Sequence, residues 1–374
     1  MAGIYIHIPF CRKACHYCNF HFSVSKTLLP EMISAICKEA ELRNDYTTEN
    51  ISTIYFGGGT PSLLTIDDLQ ITIEKLRILF NVNTDVEITL EANPDDITNE
   101  KLSGWKNVGI NRLSIGVQSF FDNDLHWMNR AHNAQQAHKS IELAKRSGFN
   151  NITIDLIYGT PNLTDEDWLH NLETAKKLAV PHLSCYALTV EPNTALQKLI
   201  AQHKKENVDT EKQSRQFELL MQWAAENNFE HYEISNFAKP NYRSRHNSSY
   251  WQGKPYLGLG PSAHSYNGTS RQWNIANNAL YIKSIKENII PFEMETLTST
   301  QKINEYLMTG LRTIEGVELN HLKNLSGEKL ADDITNDARK FIQQNLMERK
   351  NGSLVLTQKG KLFADGIAAD LFRL

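Results

Sequence analysis

The order of apolar and polar positions predicts alternating strands and helices over the first half of the chain. Short apolar runs rich in β-branched residues are typical of buried strands, and apolar residues at every third or fourth position are typical of helices. The predicted strands are 4–8, 51–56, 86–90, 112–117, 152–157 and 182–188. The predicted helices between them are 28–42, 66–79, 101–108, 134–144 and 168–178. This alternation implies right-handed crossovers and a parallel sheet, either doubly wound or part of a (β/α) barrel.

Polar or glycine-rich residues mark the ends of five of these strands, where parallel βα folds bind their ligands. Three cysteines follow the first strand, Gly-Gly-Gly-Thr-Pro the second, Glu-Ala-Asn-Pro the third and Gln-Ser-Phe the fourth, and Asp155 lies within the fifth. Functional groups at five successive strand ends favour a ring at the mouth of a barrel. We therefore predict an α/β fold built on a partial (β/α)6 barrel.

The pattern changes in the second half of the chain. It predicts a helix at 210–225, a strand at 232–237, helices at 303–311, 319–325, 331–346 and 359–372, and a hairpin at 350–357 around an Asn-Gly pair. Helices followed by a hairpin resemble a winged helix. We expect two domains, with the barrel and its loops in 1–290 and a small C-terminal α+β, winged-helix-like domain in 291–374.

Composition limits the class of protein. The chain of 374 residues is 41% hydrophobic and 22% charged, with a formal net charge of -4 and a pI near 6.4. Without a basic excess, we expect no nucleic-acid partner. No run of 18 apolar residues is present, and outside one cluster of three cysteines only Cys37 and Cys185 remain for a disulfide. We expect a cytoplasmic protein that is not embedded in a membrane.

Three cysteines with C-x3-C-x2-C spacing, Cys11, Cys15 and Cys18, predict a metal centre. Clustered thiolates select zinc, copper(I) or an iron–sulfur cluster. A [4Fe–4S] cluster on three cysteines leaves one iron without a protein ligand, which can chelate S-adenosylmethionine. The alternative is a structural zinc site with His16 or His21 as fourth ligand, because structural zinc takes four ligands. The residues alone leave both interpretations open.

Three polar residues, Glu91, Gln118 and Asp155, lie in or next to apolar strands. A buried carboxylate costs several kcal/mol unless it finds a partner, so these groups either satisfy their neighbours or converge on a polar ligand. Arg130 would supply a positive charge for a ligand carboxylate. Three such residues at successive strand ends favour a ligand.

Two histidines, His246 and His264, flank aromatic residues and a glycine-rich turn between 245 and 266. Aromatic rings stack on flat ligands and an imidazole can bind a metal, so this segment suits a planar, metal-containing ligand. The alternative is a packed aromatic loop with surface histidines.

Five segments make the chain similar to the HemN/HemW group of radical S-adenosylmethionine proteins over nearly its whole length. They are 5–11, 55–62, 91–94, 114–120 and 155–159. The resemblance implies a radical-SAM, TIM-like barrel with a [4Fe–4S] cluster on the three cysteines. It also implies an S-adenosylmethionine site lined by Tyr5, Tyr17, Gly58, Gly59, Thr60, Glu91, Gln118, Arg130 and Asp155.

Two functions compete within this group. Oxygen-independent coproporphyrinogen III dehydrogenases carry a further Cys two positions after the third and a longer N-terminal region, whereas this chain has Phe20 there and four residues before Tyr5. The HemW branch has the short start, the Phe and a His-Asn-x-x-Tyr-Trp motif, which residues 246–251 match. The resemblance implies haem binding by His246, Tyr250 and Trp251, with His264 as the rival iron ligand.

We therefore expect a haem chaperone that binds the cluster, S-adenosylmethionine and haem, and not a coproporphyrinogen dehydrogenase. Its expected partners are haem and recipient haem proteins, including membrane haem proteins to which it docks, and it is a monomer or a homodimer. A haem-responsive winged-helix regulator is a further alternative, which would require a basic recognition helix.

Overall fold

Six consecutive parallel strands form the centre of a twelve-stranded sheet in the computed structural model, which describes residues 1–373. Each strand pairs with the next one along the chain. Their bounds are β1 (Ala2–Ile8), β2 (Ile51–Gly58), β3 (Val82–Ala92), β4 (Arg112–Gln118), β5 (Ile152–Tyr158) and β6 (His182–Ala187). All six predicted strands and their parallel order are confirmed.

Helices connect these strands, as parallel neighbours require. They are α1 (Leu29–Leu42), α2 (Ile66–Leu79), α3 (Asn99–Asn107), α4 (Asp122–Trp127), α5 (Ala134–Arg146) and α6 (Asp165–Lys177). Helices α2 and α5 begin at capping boxes, in which Thr65 and Asn133 accept the amide hydrogens of Asp68 and Gln136. None of the helices in residues 1–373 is both long and apolar enough to cross a membrane.

Six shorter strands extend the sheet on both sides of the parallel core. They and the helices among them are α7 (Ala195–Ala201), α8 (Thr210–Glu226), β7 (Glu230–Glu233), β8 (Asn236–Ala238), α9 (Arg245–Trp251), β9 (Tyr256–Leu259), β10 (His264–Tyr266), β11 (Ser270–Asn274), α10 (Asn278–Lys286) and β12 (Phe292–Thr296). Strand β9 pairs in parallel with β1, and β10 to β12 follow in antiparallel order. On the other side β8 pairs with β6 and β7 with β8. The sheet therefore ends at β12 and β7, as a partial barrel does.

The prediction of one strand at 232–237 is wrong, because the chain reverses there between β7 and β8. A carboxylate oxygen of Glu233 accepts hydrogen bonds from the backbone N–H of Ser235, at 3.0 Å, and from the side-chain amide of Asn236, at 2.6 Å. These bonds stabilise a tight turn inside an apolar-looking segment, and the sequence pattern does not show them.

The C-terminal part combines helices with a small antiparallel sheet. Its elements are α11 (Ser299–Leu311), β13 (Val317–Glu318), α12 (Leu319–Ser326), α13 (Glu328–Gln343), β14 (Met347–Lys350), β15 (Ser353–Leu356), α14 (Gln358–Lys361) and α15 (Ala364–Leu371). The predicted hairpin is confirmed, with Asn351 and Gly352 both at positive φ, 49° and 82°. The single helix predicted at 359–372 is instead divided between α14 and α15.

Three apolar clusters lie beneath these elements. The largest fills the space between the parallel strands and their helices, the second begins at Ile303 and ends at Leu371, and a small third cluster joins Leu125, Met128, Ile157, Leu188 and Leu196. Strand β12 lies beyond residue 290 but still pairs with β11 in the large sheet. We propose that the C-terminal domain expected at 291–374 begins after β12, at α11.

The alternation along β1 separates core from site. Ile4, Ile6 and Ile8 are fully buried in the large core, where each contributes about 1.5–3 kcal/mol relative to an exposed side chain. Tyr5 and His7, between them, point to the opposite face of the sheet. The site-facing residues of β1 therefore alternate with the core isoleucines and lie on the opposite face of the sheet.

Candidate functional site

The three cysteines lie in the loop between β1 and α1 and are each partly exposed. This Cys loop, residues 9–23, is held from two sides. The N–H of Cys11 donates to the carbonyl of Ser23 at 3.0 Å, and the side-chain amide of Asn129, just after α4, donates to the carbonyl of Ala14 at 2.7 Å. The loop geometry is thus fixed by the rest of the barrel.

Two donors point at the sulfurs. The hydroxyl of Thr60 donates to Cys11 Sγ at 3.4 Å and the guanidinium of Arg130 to Cys15 Sγ at 3.3 Å. Burial, with a smaller contribution from the charges of the other two cysteines, raises the pKa of Cys18 to about 11. The sulfurs of Cys11 and Cys15 therefore accept hydrogen bonds of the kind that tune iron–sulfur clusters, and Cys18 is near enough to both cysteines to interact with them electrostatically.

The candidate zinc ligands His16 and His21 each use a ring nitrogen elsewhere. His16 Nδ1 lies 3.2 Å from the carbonyl of Trp127, and His21 Nε2 lies 2.7 Å from the Asn278 amide oxygen. In the described residues no three His, Cys, Asp or Glu side chains are arranged to hold a single metal ion. A four-iron cluster is larger than one ion, so its ligands stand further apart.

The glycine run at the end of β2 lies directly against the Cys loop. A Cβ on Gly59 would approach the carbonyl oxygens of Phe10 and Ile8 to 2.6 and 2.7 Å, and Gly58 has a φ of +104°. Only glycine fits both positions. The run therefore packs against β1 and the loop, and it leaves the backbone bare on the side of the strand ends.

Two partly buried carboxylates, on β3 and β5, lie close to the strand ends and these glycines. Glu91 accepts hydrogen bonds from the hydroxyl of Tyr55 at 2.8 Å and from the N–H of Gly58 at 3.2 Å, and burial raises its pKa to about 7. Asp155 accepts from the hydroxyl of Ser114 at 3.4 Å, and burial raises its pKa to about 7 as well. Near neutral pH each group is therefore a mixture of its protonated and ionised forms, and a positively charged ligand would favour the ionised form.

The partly buried guanidinium of Arg130 links the strand ends to the Cys loop. It donates to the Asn93 side chain and to the carbonyl of Gly116, both at 2.8 Å, and it lies 3.4 Å from the hydroxyl of Tyr17. Its Nε is buried without a hydrogen-bond partner among the described residues. An unpaired donor on a buried cation fits a site for a ligand carboxylate.

The predicted S-adenosylmethionine residues are therefore largely brought together. Gln118 ends β4 in a left-handed conformation, with φ 68°, next to the Arg130 guanidinium beside Gly116. Tyr5 differs from the others because it also lines a second space, next to the strand ends. The side chains fit the polar groups of S-adenosylmethionine, namely a carboxylate, an amine and ribose hydroxyls.

This second space, here called the central cavity, has a volume of about 930 Å³ and lies between the Cys loop, α9 to β11, and the C-terminal helices α11 and α12. Its size is at the upper end of ligand pockets, which run from about 300 to 1,000 Å³. Much of its lining is aromatic or imidazole, as a flat ligand requires. These lining residues are Tyr5, His7, Phe20, His21, Tyr250, Trp251, Tyr256, His264, Tyr266, Tyr306 and His321.

The imidazole of His246 does not line the cavity. It is buried, with Nδ1 2.8 Å from the Thr53 hydroxyl and Nε2 2.8 Å from the Tyr250 hydroxyl, and burial lowers its pKa to about 3. Both ring nitrogens are therefore occupied inside the protein. Tyr250 and Trp251, the other two predicted haem residues, do line the cavity.

His264, the alternative candidate for the haem iron ligand, lies on the cavity wall with an exposed side chain. Burial of part of the ring, together with the charge of Arg271, lowers the pKa of His264 and so favours the neutral imidazole. A neutral imidazole is the form that binds iron. Of the two candidate ligands, His264 is therefore the one that lines the cavity.

Several cavity residues were not found from the sequence. Phe20 and His21 lie just past the last cysteine of the loop, and Phe20 is 67% exposed, which is unusual for a large apolar side chain. Arg271, Lys302 and Glu305 line the cavity from β11 and α11. No local pattern marks these three, because they meet only through the fold.

Comparison with known proteins identifies the two parts of the chain. Residues 5–175 match the radical SAM superfamily, and residues 297–363 match the HemN C-terminal domain. The whole structure is similar to coproporphyrinogen III oxidase, HemN, from Escherichia coli, with a TM-score of 0.85 and 22% identity, covering 99% of this chain and 90% of that one. This likeness confirms the predicted fold.

Curated relatives resemble the chain over its full length. The haem chaperone HemW of Bacillus subtilis is 33% identical over 98% of both chains. A mitochondrial radical S-adenosyl methionine domain-containing protein 1 of Dictyostelium discoideum is 34% identical over 99% of this chain and 94% of its own. HemW of Lactococcus lactis is 32% identical over 95% of this chain and 93% of its own. The chain therefore belongs to the HemW family of the radical S-adenosylmethionine superfamily.

Proposed function

We propose that the protein is a haem chaperone, which binds haem in the central cavity and delivers it to haem proteins. The observation that carries this proposal is the cavity itself, about 930 Å³ in volume and walled by aromatic rings and histidines next to the Cys loop. Family membership supports the same conclusion, since the HemW relatives are named haem chaperones.

The strand ends are proposed to hold two cofactors. Cys11, Cys15 and Cys18 would hold a [4Fe–4S] cluster, which supplies an iron free of protein ligands to bind S-adenosylmethionine. Arg130 would pair with the carboxylate of S-adenosylmethionine through its unpaired Nε, and Glu91 would accept hydrogen bonds from its amine or ribose. Asp155, on β5, would also accept hydrogen bonds from the amine or ribose. The backbone of Gly58 and Gly59 would form the floor of this site.

Haem is proposed to enter the central cavity with His264 as its axial ligand. His264 offers a neutral imidazole on the cavity wall, whereas both nitrogens of His246 are occupied. Tyr250 and Trp251 would pack against the porphyrin. His246 would then act as a positioning residue, because its Nε2 holds the Tyr250 hydroxyl.

The partners follow from this role. We propose that the protein acts in the cytoplasm, as a monomer or a homodimer, and passes haem to recipient haem proteins, including membrane haem proteins to which it docks. A DNA-binding regulator is not favoured, because α13 carries four acidic and three basic residues and so lacks a basic recognition surface. Nucleic acid is not a proposed partner.

One preparation can test chaperone against dehydrogenase. The protein is reconstituted with iron and sulfide without oxygen, titrated with haem, and then assayed with coproporphyrinogen III and S-adenosylmethionine. We expect stoichiometric haem binding and no protoporphyrinogen IX. Turnover of coproporphyrinogen III, with haem bound no better than by an unrelated protein, would establish the dehydrogenase and overturn the proposal.

A further inference from the structure

One part of the central cavity wall is charged, in contrast to its aromatic remainder. Arg271 on β11 and Glu305 on α11 form an ion pair with an N–O distance of 2.9 Å, and both side chains are partly buried. Lys302 lies one turn before Glu305 on the same face of α11 and also lines the cavity. Within residues 1–373, Lys302 forms no ion pair of its own. This wall therefore carries two cations and one carboxylate.

The haem molecule has a matching division of polarity. Its macrocycle is flat and apolar, and two propionate groups extend from one edge. An apolar ring buried in an aromatic cavity gains stability only if its carboxylates reach water or cations, because an unpaired buried charge is costly. Two cations at one wall match two carboxylates at one edge.

The guanidinium of Arg271 is already oriented. It lies 5.9 Å from the centre of the Tyr266 ring, over its face, and Glu305 holds it from the other side. Glu305 contacts the guanidinium through a single N–O pair, and a guanidinium can present two parallel donors to a carboxylate, so a propionate can take the place of the Glu305 carboxylate. Glu305 thus stands where a ligand carboxylate would stand.

We propose that Arg271 and Lys302 form a carboxylate subsite that binds the propionates of haem, and that Glu305 is the competing carboxylate that holds Arg271 when haem is absent. This inference rests on the proposed function. The subsite sets which edge of the porphyrin faces α11. Since Arg271 and Glu305 join the barrel sheet to the C-terminal domain, haem binding also replaces a direct contact between these two parts.

The test compares haem with its dimethyl ester, iron protoporphyrin IX in which both propionates are esterified. Each is titrated into the cluster-loaded protein in the same detergent-containing buffer, and dissociation constants are obtained from the absorption spectra. The variants are Arg271→Gln, Lys302→Gln and Glu305→Gln. Arg146→Gln is the matched control, since Arg146 is an exposed arginine paired with Glu142 on α5, away from the cavity.

We expect Arg271→Gln to weaken haem binding roughly 10–100-fold, the range of one charge-assisted hydrogen-bonded pair, and to change ester binding little. Lys302→Gln should also weaken haem binding and change ester binding little. Glu305→Gln should bind haem several-fold more tightly than wild type, because the competing carboxylate is gone. A misfolded variant cannot produce tighter binding, so this variant separates the subsite from loss of structure.

Two results would overturn the inference. If wild type binds haem and the ester equally, or if Arg271→Gln weakens both ligands to the same extent, the propionates are not bound there and the haem-binding function stands. If wild type binds neither haem nor the ester, the proposed function fails, and the subsite fails with it.

Discussion

The Tyr250 hydroxyl lies 2.8 Å from Nε2 of His246, and this contact places the imidazole behind the cavity wall, with the tyrosine in front of it. The ring of Tyr55 stacks on the same imidazole at a centroid distance of 4.9 Å, and the Tyr55 hydroxyl donates to Glu91. His246 therefore connects the proposed S-adenosylmethionine site to the central cavity. We propose that its role in the His-Asn-x-x-Tyr-Trp motif is to position other side chains.

The first prediction concerns the axial ligand of haem. His264→Ala should change the absorption spectrum of bound haem, because the imidazole that the cavity offers to the iron is gone. His246→Gln should keep the wild-type spectrum, since the amide can still bond to Thr53 and Tyr250. Absorption and electron paramagnetic resonance spectra of the reconstituted variants measure both effects. A changed spectrum in His246→Gln together with a normal one in His264→Ala would restore His246 as the ligand.

The second prediction concerns the metal centre. Anaerobic reconstitution should yield about four irons per chain. Replacing Cys11, Cys15 or Cys18 with Ala should abolish the brown chromophore. Cys37→Ala and Cys185→Ala are the controls, since both side chains are buried away from the Cys loop and should leave the iron content unchanged. One tightly bound zinc and no iron in the wild-type protein would instead support the structural zinc alternative.

The third prediction concerns S-adenosylmethionine. Glu91→Gln and Asp155→Asn should each weaken its binding to the cluster-loaded protein by about 1–3 kcal/mol, because each removes a charged hydrogen-bond acceptor. Calorimetry with matched iron content measures the change. Glu142→Gln, at an exposed position on α5, serves as the control. Unchanged affinity in both site variants would remove these carboxylates from the binding site.

The fourth prediction follows from the pKa of Asp155, which burial raises to about 7 from a value near 4 in the unfolded chain. Between these values the folded protein binds the extra proton, so this group lowers the free energy of unfolding as pH rises from about 4 to 7. Asp155→Asn removes the effect and keeps an oxygen for Ser114. In cluster-free protein, we compare the free energy of unfolding of the variant with that of wild type. The difference in favour of the variant should be larger at pH 8 than at pH 5.5, by on the order of 1 kcal/mol. Thermal unfolding at both values measures it, and an equal difference at both pH values would contradict the raised pKa.

The sequence predicted the parallel core because each of its strands carries a local signal. The strands of the core are continuous apolar runs, and the residues at their ends differ sharply from them. Strands β9 to β12 carry no such signal, since all four are short and β10 to β12 are partly or largely exposed. Their pairing depends on contacts such as Ile4 with Leu257, which are distant in sequence.

Contacts between residues that are distant in sequence also explain which features of the site could not be predicted. The cysteines and glycines were found because their spacing is itself the signal. The orientation of His246 was not predicted, because it depends on Thr53, which lies 193 positions away in the chain. The pairing of Arg271 with Glu305 was missed for the same reason, since each alone is an ordinary charged residue.

The last prediction concerns the contact between the barrel and the C-terminal domain. Arg312, at the end of α11, binds the carboxylate of Glu233 at 2.9 and 3.0 Å, and its guanidinium lies 5.2 Å from the centre of the Trp251 ring. Glu233 is almost completely buried, so Arg312→Ala would leave its charge without a counter-ion. We expect a loss of about 3–5 kcal/mol in the free energy of unfolding, and the double variant Arg312→Leu with Glu233→Gln should recover part of it, because breaking a buried pair costs more than replacing it.

Arg373→Ala, which removes a more exposed pair with Asp337, should cost less than 1 kcal/mol and serves as the control. Urea unfolding measures all three, and an equal loss in Arg312→Ala and Arg373→Ala would show that the buried pair does not hold the two domains together.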